Sequence, residues 1–369
     1  MKSLKYKKGK TMQTLREHSE ELYAIELDEL KKQESNKIPT NWQMSPKSVL
    51  RYIMGGKLDN GFEITPKYIG DQRIIEVAIA TLATDRALLL YGVPGTGKSW
   101  VSEHLAAAIS GDSKLIVQGT AGTGEESIRY GWNYAQLLAK GPSVDALVET
   151  PIMRAMKSGK IVRVEELTRI PSEVQDSLIT ILSEKSMPIA ELNTQISAKV
   201  GFNLIATANN KDKGVNELSG ALKRRFNTVI LPLPSSQEVE LDIVQSRVRS
   251  IAKMLDLPIN QNSFEHINNL VTIFRELRSG TTIDNKTKLK TPSSTLSTAE
   301  IISVINQGLS LAAHFGDGEL NEEDISAGLI GAVIKDPIQD KIAFKEYLEN
   351  VLRKRDSFKG IYLACKELL

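Results

Sequence analysis

Residues Ala87–Ser99 read ALLLYGVPGTGKS, and Trp100–Ile109 continue as WVSEHLAAAI. Gly92, Gly97, Lys98 and Ser99 occupy the fixed positions of G-x-x-x-x-G-K-[ST], with Val93, Pro94, Gly95 and Thr96 between them. The apolar run before the motif predicts a strand, and the apolar spacing after it predicts a helix. Glycines let the backbone curl so that successive N–H groups point inward at phosphate oxygens. The start of the following helix adds its positive end. Lys98 is placed to reach the β- and γ-phosphates of a nucleotide, and the Ser99 hydroxyl to ligate Mg²⁺. Gly92–Ser99 are therefore the expected nucleotide-binding residues. A second glycine-rich stretch, Gly119–Gly124, lacks the lysine and reads as a flexible loop after the second strand.

On either side of this motif, short apolar runs alternate with helical patterns. The runs are Ala87–Tyr91, Leu115–Val117, Ile161–Val164, Phe202–Ala206 and Thr228–Leu231. Helices are predicted over 71–84, 99–109, 145–157, 171–184 and 216–224. Alternating strand and helix argues for an α/β unit, a parallel sheet covered by helices on both faces. Pro232 and Pro234 interrupt the pattern, and the chain beyond them reads as helix. Ser235 with Glu238 and Ser297 with Glu300 match capping boxes. Three units are expected: a helical extension over 1–60, a nucleotide-binding unit over 61–234, and a helical unit over 235–369.

The chain has 369 residues, with 47 Lys+Arg against 45 Asp+Glu, a net charge of only +2. No global basic field exists to hold nucleic acid or an anionic membrane. Hydrophobic residues make up 41% and charged residues 25%, ordinary for a globular protein. One cysteine, Cys365, excludes an internal disulfide and a multi-cysteine zinc site. None of the four histidines has a partner at metal-ligand spacing, so each reads as structural. No apolar run is long enough to span a membrane, and the N-terminus lacks a signal-peptide core, so the cytoplasm is the expected location. The lysine-rich residues 1–12 read as a solvated tail.

Ile161–Glu166 reads IVRVEE, a strand ending in two carboxylates. At the C-terminal end of a parallel strand such groups face the crevice where ligands bind. One acid can hold Mg²⁺ through water, and the next can polarise the attacking water. Arg163 stands inside this strand, and in a sheet buried on both faces it needs a partner. Further on, FNLIATANN delivers Asn209 to the same edge, and LSGALKRRF ends in Arg224 and Arg225 before a phenylalanine.

Taken in this order, the motifs resemble the AAA+ ATPases, closest to the MoxR-like and dynein-related branch, over about 62–345. The resemblance implies a P-loop NTPase core followed by an all-helical lid, with ATP and Mg²⁺ as cofactors. Gly92–Ser99 match the Walker A loop. Glu165 and Glu166 match the Walker B pair, with Glu165 on the metal and Glu166 as catalytic base. Asn209 matches sensor 1. Arg225 matches the arginine finger that acts on a neighbouring subunit's nucleotide, with Arg224 in reserve. Tyr68-Ile69-Gly70 lie where relatives contact the base, so Ile69 and Gly70 join the cofactor-binding set. Met187–Val200 resembles the β-hairpin that precedes sensor 1, and Tyr130 and Trp132 fall where this branch can face a ring pore.

Two departures stand out. The first Walker B acid is usually Asp, so the longer Glu165 is expected to weaken turnover and Glu165→Asp to raise it. The helix that usually begins Ser-Pro-Arg begins here Ser297-Thr298-Ala299, without the sensor 2 arginine, for which Lys288 or Lys290 is a candidate substitute. The resemblance implies a homo-oligomer, a hexameric ring, that remodels a protein client such as a partner with a von Willebrand A-type domain. The alternatives are a nucleic-acid-associated motor and a nucleotide-gated scaffold with little hydrolysis.

Overall fold

The structure is a computed structural model that describes residues 16–209 and 216–369. The lysine-rich stretch 1–12 lies outside the described residues. Five strands form a parallel sheet: β1 (Ala87–Gly92), β2 (Ile116–Gln118), β3 (Ile161–Glu165), β4 (Asn203–Asn209) and β5 (Phe226–Ile230). Their order is β5-β1-β4-β3-β2. Each parallel neighbour requires a crossover, and helices supply it.

Alternation along the strands separates two cores. Leu88, Leu90, Ile161 and Ile205 point to one face. There they meet α1 (Ala24–Lys32), α2 (Pro46–Met54), α3 (Gln72–Leu82) and α4 (Lys98–Ser110). Ala87, Leu89, Val162, Val164, Leu204 and Ala206 point to the other face, against α5 (Pro151–Ser158) and α6 (Ser177–Glu184). A strand buried on both faces reads as a continuous apolar run, which is why these strands are legible in the sequence. The N-terminal helices do not stand apart. Leu27, Leu30, Tyr52 and Ile53 are buried in the same core as Leu88 and Leu90. Tyr52 Oη lies 2.9 Å from Nδ1 of the fully buried His104 on α4.

The region predicted as a helix over 145–157 divides. Leu147–Glu149 pairs antiparallel with Tyr130–Trp132, and the helix starts only at Pro151. Thr150 caps it by accepting from Met153 N, and Pro151 fits the first turn, where its missing N–H is not needed. The segment 171–184 is likewise two helices broken at Asp176, and 216–224 holds only Gly220–Lys223. The hairpin before β4 forms between Ser186–Ile189 and Thr194–Ser197.

After β5 the chain is helical: α7 (Gln237–Leu255), α8 (Gln261–Ser279), α9 (Thr298–Phe315), α10 (Glu322–Val333), α11 (Gln339–Asn350) and α12 (Lys359–Leu368). The cap of α7 is Ser236, accepting from Val239 N, one residue later than the Ser235–Glu238 pattern predicts. Adjacent serines are equivalent caps; this register buries Glu240, Val244 and Val248. The Ser297–Glu300 capping box forms as the sequence predicts.

Two buried glutamates pin the helical unit. Glu240 accepts from Arg278 at 2.6 Å, Arg275 at 3.1 Å and Thr298 Oγ1 at 2.7 Å. Glu276 accepts two bonds from Arg355 at 2.8 and 3.0 Å, one from Tyr347 Oη at 2.7 Å and one from Ile283 N at 2.8 Å. Glu276→Ala would leave these donors without a counter-charge. It is expected to lower stability by about 3 kcal/mol, with Glu276→Gln recovering part of that, both read by denaturant unfolding.

Candidate active site

The sheet order places three strand ends side by side. Asn209 on β4 is in register with Gly92 on β1, and β4 runs beside β3. With strands about 4.8 Å apart, the loop after β1, Asn209 and the Glu165–Glu166 pair share one edge.

The loop has the shape its glycines allow. Gly95 and Gly97 have φ of +79° and +80°, a region costly for other residues. A Cβ on Gly95 would stand 2.1 Å from Ser297 Cβ, so the start of α9 packs directly on the loop. A Cβ on Gly97 would meet nothing within 4 Å, so space is open there above the first turn of α4. No side chain caps that turn. Lys98 Nζ donates to Val93 O at 2.8 Å and to Gly92 O at 3.2 Å.

Glu165 is buried and fully engaged. Its Oε2 accepts from Ser99 Oγ and from Thr207 Oγ1, both at 2.6 Å. Its Oε1 accepts from Ser102 Oγ at 2.5 Å and from Arg163 Nη2 at 2.8 Å. Burial pushes its pKa up, but the Arg163 guanidinium and these hydroxyls outweigh burial and hold it below the usual carboxylate range. An ionised carboxylate beside a serine hydroxyl is a hard oxygen set of the kind Mg²⁺ takes with nucleotide phosphates and water, so Ser99 and Glu165 fit that ion.

Glu166 follows in a left-handed turn, φ +55°. Its backbone N–H donates to Thr207 Oγ1 at 3.0 Å. Its carboxylate accepts from Asn209 Nδ2 at 3.0 and 3.2 Å and lies 3.7 Å from Arg169 Nε. Two polar groups that the sequence places on different strand ends thus touch. Gly119 lies against them: its N–H donates to Glu165 O at 2.7 Å, and a Cβ would stand 2.4 Å from Glu166 O. The loop it opens is a turn held by Thr123 Oγ1, which accepts from Thr120 N at 2.9 Å.

Ile69 and Gly70 follow Lys67, whose carbonyl accepts from Trp100 Nε1 at 2.8 Å, so they sit beside the first turn of α4. The Trp100 ring is covered by Arg247 of α7, with Cζ 3.7 Å from its centroid. Lys290 is paired with Glu346 at 2.7 Å, and the backbone of Lys288 bridges to Thr281. Tyr130 and Trp132 are half-buried on the strand paired with Leu147–Glu149, and Tyr130 Oη donates to Glu191 of the hairpin at 2.7 Å.

Arg225 lies elsewhere. It precedes Phe226, which is in register with Ala87 at the opposite end of β1. At about 3.3 Å per residue that is roughly 16 Å from Gly92, so Arg225 does not join its own chain's site. It donates to Ser183 Oγ at 2.8 Å and to Ala221 O at 2.7 Å, and Arg224 is exposed.

Arg163, which the sequence marks as a buried charge in need of a partner, finds it in Glu165. Ser102 and Thr207 join the site without any motif that marks them, though spacing could have found them. Ser102 is three residues after Ser99 on one helix face, Thr207 two before Asn209, and Arg163 two before Glu165 on one strand face. The expected gain from Glu165→Asp also changes sign. An aspartate is shorter by one methylene, about 1.5 Å, and gives up contacts on both carboxylate oxygens. We expect Glu165→Asp to lower turnover several-fold and to raise the Mg²⁺ concentration needed, as read by initial rates across Mg²⁺.

Among known proteins, residues 87–226 match the AAA domain of the dynein-related subfamily, and residues 238–363 match the YehL-like AAA+ ATPase C-terminal domain. The chain is 41% identical over 340 residues to the uncharacterized protein YehL of Escherichia coli strain K12, covering 89% of this chain and 90% of that one. It is 25% identical over 194 residues to the uncharacterized protein YojN of Bacillus subtilis strain 168, covering 52% of this chain and 63% of that one. In fold it is similar to NtrX from Brucella abortus in complex with ADP, with a TM-score of 0.50 and 14% identity. That match covers 81% of this chain and 64% of NtrX. The phosphate loop, the parallel sheet and the helical unit behind it agree with both domain matches, and the chain belongs to the AAA+ ATPases, as a dynein-related AAA domain followed by a YehL-like C-terminal domain.

Proposed function

We propose that the chain is a Mg²⁺-dependent ATPase that works as a homo-oligomeric, hexameric ring in the cytoplasm and remodels or activates a protein client. A protein with a von Willebrand A-type domain is the client class we favour. The observation that carries the catalytic part is the pair of contacts at one sheet edge, Ser99 to Glu165 and Asn209 to Glu166, beside an open phosphate loop. The ring rests on Arg225, too far from its own site to serve it, and on the family.

Each residue then has a task. The N–H groups of Gly95–Ser99 bind the phosphates, and Lys98 leaves the carbonyls of Gly92 and Val93 to meet the β- and γ-phosphates. Ser99 and Glu165 would hold Mg²⁺, which would supply positive charge against the developing charge of the phosphates. Glu166 accepts the proton of the attacking water, and Asn209, already bonded to Glu166, orients that water. Ile69 and Gly70 line the side on which the base sits. The packing of Ser297 on Gly95 transmits the state of the loop to the helical unit, which has no arginine at the start of α9.

ATP turnover measured against protein concentration, with mass photometry on the same samples, tests this reading. Turnover per subunit should rise as the assembly forms. Nucleotide binding with no turnover at any concentration would replace it with the gated-scaffold reading. A sharp rise with DNA or RNA would favour the nucleic-acid motor.

A further inference from the structure

Arg163 is a full charge inside a central strand and is 5% exposed. Desolvating an ion works against folding, and an aliphatic residue would fill the site without that penalty. Its guanidinium is spent on the metal carboxylate and its surroundings. Nη2 donates to Glu165 Oε1 at 2.8 Å and to Ser99 O at 3.1 Å. Nε donates to Ser102 Oγ at 3.0 Å, and Nη1 to Ser113 O at 3.2 Å. Behind it, 4.0 Å away, stands Glu103, itself buried and held by Arg16 at 2.6 Å and Ser19 at 2.9 Å.

We propose that Arg163 is a positioning residue for the metal site: it occupies one oxygen of Glu165, so that the other is the oxygen presented to Mg²⁺ and its waters. The geometry divides the carboxylate in this way. Oε1 faces Arg163 and Ser102, while Oε2 faces Ser99 and Thr207, the edge where nucleotide would lie. A glutamate has one more rotatable bond than an aspartate, and a rigid planar fork removes the freedom that bond adds. Glu103, 4.0 Å behind the guanidinium, gives it a second carboxylate on the side away from the metal edge. Arg16 and Ser19 hold Glu103 in place, which makes the N-terminal segment part of the support of the metal site.

The inference rests on the Mg²⁺–ATP reading of the site. Its test is the binding of a fluorescent ATP analogue in EDTA and across a Mg²⁺ titration, for the full chain and for Arg163→Met, Arg163→Lys, Glu165→Gln and the pairs with Glu165→Gln. Arg163→Met should raise the half-saturating Mg²⁺ about tenfold, as loss of an outer-shell partner does, with affinity in EDTA unchanged. Arg163→Lys keeps the charge without the fork and should give a smaller rise; it carries the test if the methionine variant does not fold. In the Glu165→Gln background neither change should shift the Mg²⁺ dependence further. An equal loss in EDTA and in Mg²⁺, or a full Arg163 effect without the Glu165 carboxylate, would overturn the proposal alone. No analogue binding by the unaltered protein would overturn the ATPase reading, and this proposal with it.

Discussion

Glu166→Gln is expected to lower ATP turnover by at least about 100-fold, the range a general base contributes, while nucleotide affinity stays within about threefold. The amide keeps the shape of the side chain and can still bond to Asn209, so the strand edge should hold. What it lacks is basicity toward the attacking water. Glu165, its neighbour, is not placed to substitute, because Arg163 and Ser102 hold one of its oxygens and the other faces Ser99 and the metal edge. The measurement is single-turnover hydrolysis beside equilibrium binding of a fluorescent analogue. Turnover unchanged by Glu166→Gln would remove Glu166 as the base and favour the scaffold reading.

Arg225→Ala is expected to reduce turnover by about 100-fold or more, because an arginine donated to the transferred phosphoryl group carries effects of that size. The register of β5 on β1 keeps Arg225 away from its own phosphate loop, so the loss would arise at a junction between subunits. Mixing makes this specific. Arg225→Ala subunits retain Glu166, and Glu166→Gln subunits retain Arg225. In a mixed ring one junction in four combines an intact base with an intact arginine, so two nearly silent proteins should together recover about a quarter of the original rate per subunit. If Arg225 only holds Ser183 and the Ala221 carbonyl, mixing recovers nothing, and Arg225→Ala instead lowers the unfolding midpoint.

The fold class was legible in the residue pattern alone, and so were most residues of the candidate site. A phosphate loop needs glycines, a lysine and a hydroxyl at fixed spacing, so Gly92–Ser99 are legible without a structure. Strands buried on both faces are mostly apolar, so β1, β3 and β4 stand out as runs, Arg163 excepted. Polar residues at the ends of such runs, as with Glu165, Glu166 and Asn209, can be solvated strand ends; beside a phosphate loop they point to the crevice where ligands bind. Local pattern failed where pairing is non-local. Leu147–Glu149 is a strand because Tyr130–Trp132 lies beside it, and no spacing within 145–157 records that.

The contacts that bring these residues together come from the packing of strands and helices far apart in the chain. The insertion of β4 between β1 and β3 brings Asn209 to Glu166 and Thr207 to Glu165. The packing of α4 on β3 brings Ser99 and Ser102 to the same carboxylate and sets Ser102 Oγ and the Ser99 carbonyl against Arg163. The fold of the helical unit sets Ser297 on Gly95 and Arg247 on Trp100. Each of these joins residues apart in the chain, and their chemistry depends on angstrom distances that strand order and helix packing set, which a linear spacing does not carry.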